Sequence, residues 1–153
     1  MTTVFGLPAH ALLVHAIVVL APLTAGLGIL CALLPWARTR FVWLVVALAA
    51  ANLVLTPLTV SAGQWLYNRE DSHSPILELH EERGETMIYF SIALLVMAIA
   101  IAVLHVRAGR SSTPKGLAIG VAVLAVVIGV ATTVQVARIG HVGTEAKWGV
   151  VSD

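Results

Sequence analysis

The stretch Met87-Ile-Tyr-Phe-Ser-Ile-Ala-Leu-Leu-Val-Met-Ala-Ile-Ala-Ile-Ala-Val-Leu-His-Val106 runs for twenty residues without a carboxylate, lysine or arginine. At about 1.5 Å per residue, a helix of this length crosses a hydrocarbon core of roughly 30 Å. No water reaches the backbone there, so its N–H and C=O groups must pair within the segment, as they do in a helix. Three other runs, about 11–34, 41–62 and 116–137, share this character. The whole chain agrees with them. Of its 153 residues, 59% are hydrophobic and 11% charged, against roughly 25% charged in a soluble domain. Mean hydropathy is +0.95. The sequence predicts an all-α integral membrane four-helix bundle, a single membrane domain over residues 1–153. Its spans are about 11–34, 41–62, 87–106 and 116–137, and a polar loop covers 63–86.

The breaks between spans are chemically distinct. Pro35, Arg38 and Arg40 end the first span, and Arg107, Gly109, Arg110, Ser111, Ser112 and Pro114 end the third. Both connections are short, which predicts two antiparallel helical hairpins. They hold Arg38, Arg40, Arg107, Arg110 and Lys115 and no acid. The other side holds Arg69, Arg83, Arg138 and Lys147, spread over a long loop and a tail. Cytoplasmic loops carry the excess of Lys and Arg, so both termini are expected on the outer, periplasmic side of a bacterial cytoplasmic membrane. Trp36 and Trp43 then fit one interfacial belt, and Trp65 and Trp148 the other.

Composition narrows function further. A net charge of +1 without a basic tract argues against nucleic acid. The single cysteine, Cys31, excludes an internal disulfide and a multi-cysteine metal site. Met1 to Pro8 lacks a basic leader region and the apolar run behind it is long, so it reads as a retained span. Pro22 and Pro57 fall inside two spans and should bend them, with Thr24, Thr56 and Thr59 placed to bond the freed carbonyls. No ionisable group lies near mid-span, which argues against a proton- or ion-coupled transporter.

Every carboxylate falls on the side of the termini: Glu70, Asp71, Glu78, Glu81, Glu82, Glu85, Glu145 and Asp153. So do His10, His15, His73, His80 and His141, with only His105 at the opposite end. Imidazole binds zinc, copper, nickel and haem iron, and carboxylates complete such sites or orient a histidine. The candidate cofactor ligands are His15, His80 and His141, and Glu85 and Glu145 join them in a candidate metal site. His141 and Glu145 stand at i and i+4 if the fourth helix continues that far. His10 and His15 are five residues apart, about 140° around a helix, so one ion should not take both. His15 lies deeper in an apolar run, where a polar ring needs a partner. His10, His73 and the acids from Glu70 to Glu82 read as a solvated rim. Glu81 and Glu85 at i, i+4 repel unless a partner relieves them. A transition metal or haem b is the implied cofactor, haem requiring two imidazoles on facing helices.

At these segments the chain resembles a bacterial membrane family known as domain-of-unknown-function family 2231. The residues concerned are Gly6-Leu7-Pro8-Ala9-His10, Val14-His15, Pro22, Gly63-Gln64-Trp65-Leu66, His80, Gly84-Glu85, Arg138-Ile-Gly140-His141-Val-Gly143 and Trp148-Gly149. The resemblance covers nearly the whole chain. It implies a four-helix inner-membrane protein, found near redox or respiratory components, without an established activity. Ala11 and Ala16 replace a common proline or aromatic residue, and Gln64 replaces a usual acid.

The sequence thus points to a multipass protein with a metal- or redox-cofactor site at its outer face, supporting an envelope or respiratory process. Its partners are the lipid bilayer and a membrane protein or a second copy. Rival readings are a cofactor-free structural subunit and a small-molecule carrier working through Pro22 and Pro57. Catalysis is least favoured, since no nucleophile–base pair is visible. Orientation is testable with cysteines introduced at Asp71 and Ser112. Impermeant maleimide added outside should label position 71 alone, and labelling of 112 with 71 protected would reverse the topology.

Overall fold

The computed structural model describes residues 3–4, 6–69, 72–110 and 114–149. Glu70, Asp71, Asp153, Ser111 and Ser112 lie outside the described residues. Among the described residues, five helices follow a short hairpin. The hairpin pairs β1 (Thr3–Val4) with β2 (Leu7–Pro8), and Gly6 turns it at φ 80°, a conformation that glycine adopts without strain. Helix α1 spans Ala9–Leu33, α2 Pro35–Tyr67, α3 Pro75–Glu85, α4 Met87–Ala108 and α5 Lys115–Trp148. Among the described residues, four helical segments are long and apolar enough to cross a membrane, and α3 with α4 makes up the third, Pro75–Ala108.

Local chemistry sets the boundaries. Leu34 alone separates α1 from α2, and Pro35 opens α2, where its missing N–H costs nothing. Ser74 caps α3 by accepting from the Leu77 N–H at 3.3 Å, with Pro75 next and Glu78 in the first turn, a favourable charge for a helix N-terminus. The region 63–86, expected as a loop, is therefore largely helical: α2 extends four residues beyond Gly63, and α3 fills most of the rest. Hydropathy finds only the lipid-facing part of a helix, and these turns project beyond it.

The long helices form a ring in which α1 and α4 each pack against both α2 and α5, while α3 lies on α5. The main core stripe belongs to α4, whose Leu94, Met97, Ala98, Ile101 and Leu104 are at most 1% exposed. Their spacing of three and four residues is one helical face. Met97 fits against Gly28 of α1, and Gly129 of α5 lies against Ala25 and Ile29 of α1. Such seats let membrane helices approach closely.

A polar belt crosses this apolar core. Thr24 of α1, Asn52 and Thr56 of α2, Ser91 of α4 and Thr132 of α5 are at most 2% exposed. The Asn52 amide donates to Thr24 Oγ1 at 3.0 Å and to the Leu48 carbonyl at 2.9 Å. Thr56 and Ser91 share a hydroxyl bond of 2.7 Å. These bonds join α1 to α2 and α2 to α4. Thr24, Thr56 and Thr59 bond the carbonyls of Leu20, Asn52 and Leu55, each four residues back on its own helix. They do not take the carbonyls of Val18 and Leu53, which Pro22 and Pro57 free. Val18 and Leu53 lie six residues before Thr24 and Thr59, beyond the one turn that a threonine side chain reaches back, while Thr56, three residues after Leu53, takes the Asn52 carbonyl instead.

Asn52 Oδ1 and Thr132 Oγ1 have no hydrogen-bond partner among the described residues. Thr56→Val and Thr132→Val should therefore behave differently. Thr56→Val orphans Ser91 and is expected to cost about 0.6–1.7 kcal/mol. Thr132→Val deletes a buried hydroxyl with no partner among the described residues and should leave stability unchanged or raise it, by up to about 1–3 kcal/mol. Reversible unfolding in mixed micelles measures both.

Candidate functional site

At the end of the bundle that carries both termini, two imidazoles meet. His10, on the first turn of α1, and His80, in the middle of α3, have ring centroids 6.3 Å apart and planes at 82°. Each is bound by a neighbouring helix in the same way. The His10 Nδ1 donates to the Thr59 carbonyl of α2 at 3.0 Å, and a Cβ added at Gly63 would stand 2.9 Å from the His10 ring. The His80 Nδ1 donates to the Ile139 carbonyl of α5 at 3.2 Å, and a Cβ added at Gly143 would stand 2.7 Å from the His80 ring.

The repeat has a geometric cause. A helical carbonyl points along the axis toward the residue four positions on, whose side chain ordinarily covers it. Gly63 is four beyond Thr59, and Gly143 is four beyond Ile139. With no Cβ in the way, an imidazole from another helix enters the notch and uses the carbonyl's second lone pair. A carbonyl can only accept, so each bonded Nδ1 carries the proton. Each Nε2 is left as the ring's lone-pair nitrogen in the neutral form.

The surroundings add a carboxylate. Gln64, next to Gly63, donates from Nε2 to Glu85 Oε1 at 2.7 Å, so a neutral amide, not a cation, meets the Glu81/Glu85 side of α3. Thr86, at the α3–α4 junction, donates to the Arg83 carbonyl and accepts from Gln135 of α5 at 2.8 Å. These bonds fix α3 across the ends of α2 and α5.

The other expected residues are placed differently. His15 is exposed, and its Nδ1 bonds the Ala11 carbonyl of its own helix. His141 is exposed and Glu145 half-buried, both on α5, which continues to Trp148. The contact of Gly129 with Ala25 and Ile29 sets the register of these antiparallel helices. Twelve residues onward along α5 and twelve back along α1 from that contact arrive at His141 and close to His15. Those two share a depth on adjacent helices, on faces turned away from His80. His73 stacks on Tyr67 with centroids 3.8 Å apart. Among the described residues, no three His, Cys, Asp or Glu side chains gather closely enough to hold a metal ion.

His10 is the residue that the sequence undervalued. It reads as rim because it precedes the apolar run, yet it is half-buried and bonded across to α2. The 140° separation allows one of His10 and His15 to face inward, and packing selects His10. A glycine four residues beyond a carbonyl carries no mark in the sequence until a ring from another helix fills the notch.

The fold is thus that of a four-span membrane bundle with an imidazole pair at one end. A family profile described as a predicted membrane protein, DUF2231, matches residues 6–151, and the chain belongs to that family. No curated protein and no solved structure matches it.

Burial pushes the His80 imidazole below its ordinary pKa of 6.5. The Ile139 carbonyl opposes that shift and nearby His10 adds to it. A depressed pKa means that the unfolded chain binds the proton more readily than the folded one. The stabilising contribution of His80 is complete above pH 6.5 and is lost as pH falls through that value toward the lower folded pKa. Thermal unfolding in detergent should therefore show a midpoint that drops on acidification below 6.5, and drops less in His80→Gln.

Proposed function

We propose that this multipass membrane protein binds a transition-metal ion, or the iron of a redox cofactor, through His10 and His80. The site serves an envelope or respiratory process at the outer face of a bacterial cytoplasmic membrane. One observation carries the reading: two imidazoles, each with Nδ1 tied to a carbonyl in a glycine notch, stand 6.3 Å apart between centroids. Hydrogen bonding of the far nitrogen is how proteins orient an imidazole ligand and raise its basicity. With metal–nitrogen distances of about 2.0–2.1 Å, two imidazoles on one ion have centroids roughly 6.4 Å apart in line and roughly 5.2 Å apart at a tetrahedral angle. The observed 6.3 Å matches a nearly in-line pair, and a tetrahedral ion requires the rings to close by about 1 Å.

Two protein nitrogens leave further coordination to water or to a cofactor's own donors. Glu85, held by Gln64 next to the Gly63 notch, is a candidate outer partner rather than a third ligand, since it stands five residues from His80 on α3. His15 and His141, at one depth on α1 and α5, with Glu145 one turn beyond His141, are a second candidate set.

Protein from metal- and haem-replete cells, purified in mild detergent, tests this by elemental analysis and absorption spectroscopy. A near-stoichiometric metal or a Soret band is expected, falling about tenfold or more in His10→Ala and His80→Ala and unchanged in His15→Ala. Loss in His15→Ala and His141→Ala with His10→Ala unaffected would move the site to the outward set. Folded wild-type protein without metal or haem would leave the cofactor-free subunit as the reading.

A further inference from the structure

The opposite end of the bundle carries an unassigned feature. Between α2 and α4 runs a trough of about 380 Å³, lined by Trp43, Val46, Ile99, Ala102, Val103 and Val106, with Arg107 at its mouth. From Ile99 to Arg107 it follows α4 for about 12 Å, parallel to the lipid chains. Trp43 forms one wall and is itself held by an edge-on contact with His105, ring centroids 6.5 Å apart at 89°. Arg40 precedes Trp43 by three residues, one turn nearer the helix end on the same side of α2. Both Arg40 and Arg107 are exposed. The apolar slot thus ends at the Arg107 guanidinium, and Arg40 lies one helical turn beyond its Trp43 wall.

A second trough on the molecule supplies the contrast. It measures about 240 Å³ and is lined by Leu33, Ala122, Val123, Val126 and Val127, with no charged residue. Ordinary lipid packing serves such a groove. The first groove differs because its mouth carries positive charge matched to a phosphate, and guanidinium pairs phosphate through parallel N–H donors.

We propose that the α2–α4 trough is a binding site for one anionic phospholipid. Its acyl chain lies along Ile99, Val103 and Val106 beside Trp43, and its phosphate is held between Arg40 and Arg107. The site is independent of the imidazole pair and of any metal bound there.

Native mass spectrometry of the full chain, released from bilayers of equal phosphatidylglycerol and phosphatidylcholine, tests it. One phosphatidylglycerol per chain should survive preferentially. A basic residue near a membrane surface contributes about fivefold to anionic-lipid affinity, so Arg40→Gln and Arg107→Gln should each weaken retention by about that factor. Val103→Trp fills the slot and should abolish retention, while Lys115→Gln, away from the trough, should leave it unchanged. Equal retention of the two lipids would overturn the proposal. So would a loss in Lys115→Gln as large as in Arg107→Gln, which would mark diffuse charge, or unaltered retention in a folded Val103→Trp.

Discussion

Hydrocarbon offers no hydrogen bonds, and most of this molecule's internal arrangement answers that one constraint. An unpaired polar group is costly inside an apolar medium, and in a bilayer the protein itself must supply the partner. Thr24, Thr56 and Thr59 meet the demand by bonding back along their own helices. Asn52 and Ser91 meet it across helices, and in doing so link α2 to α1 and to α4. Polar side chains that would weaken a lipid-facing surface become cross-links in the interior. At the bundle end the same rule places the imidazoles, because the ring nitrogens of His10 and His80 each find a carbonyl made accessible by glycine.

That solution also has chemical consequences. A ring held at Nδ1 presents Nε2 in a fixed direction, and burial favours the neutral, electron-donating form at His80. Proton loss and ligand readiness therefore come from the same environment. The two glycine notches lie on α2 and α5, while the histidines come from α1 and α3. The pair consequently depends on four helices being correctly docked, and the Gln64–Glu85 and Gln135–Thr86 bonds hold α3 in place for it.

The two ends of the bundle differ in their acids and imidazoles, while both carry basic residues and tryptophan. One gathers imidazoles and carboxylates. The other gathers arginine, lysine and tryptophan around short turns, where long cationic side chains and indole rings suit the headgroup region. Because each end is built from different turns of the same helices, a substitution at the loop end can alter lipid contact without passing through the imidazole pair. Arg107 and His80 lie on opposite sides of the α4 span.

The sequence by itself determined the fold class. Four apolar runs of membrane length, parted by proline and arginine breaks, leave few arrangements, and Pro35 even marks the tight α1–α2 turn. It also confined the chemically capable side chains to one end and required His10 and His15 to face apart. It could not say which of them turns inward. That choice depends on the rotation of α1 against its neighbours, which is set by Met97 of α4 seated at Gly28, by Gly129 of α5 and by the interior polar bonds together. Nor could it expose the notches, since Thr59 with Gly63 and Ile139 with Gly143 are unremarkable pairs until rings from other helices fill them. Asn52 was hidden for the same reason: one amide in an apolar run scarcely changes hydropathy, yet in the packed bundle it joins two helices. Local composition decides which segments enter the membrane, and only the docking of those segments decides which polar atoms meet.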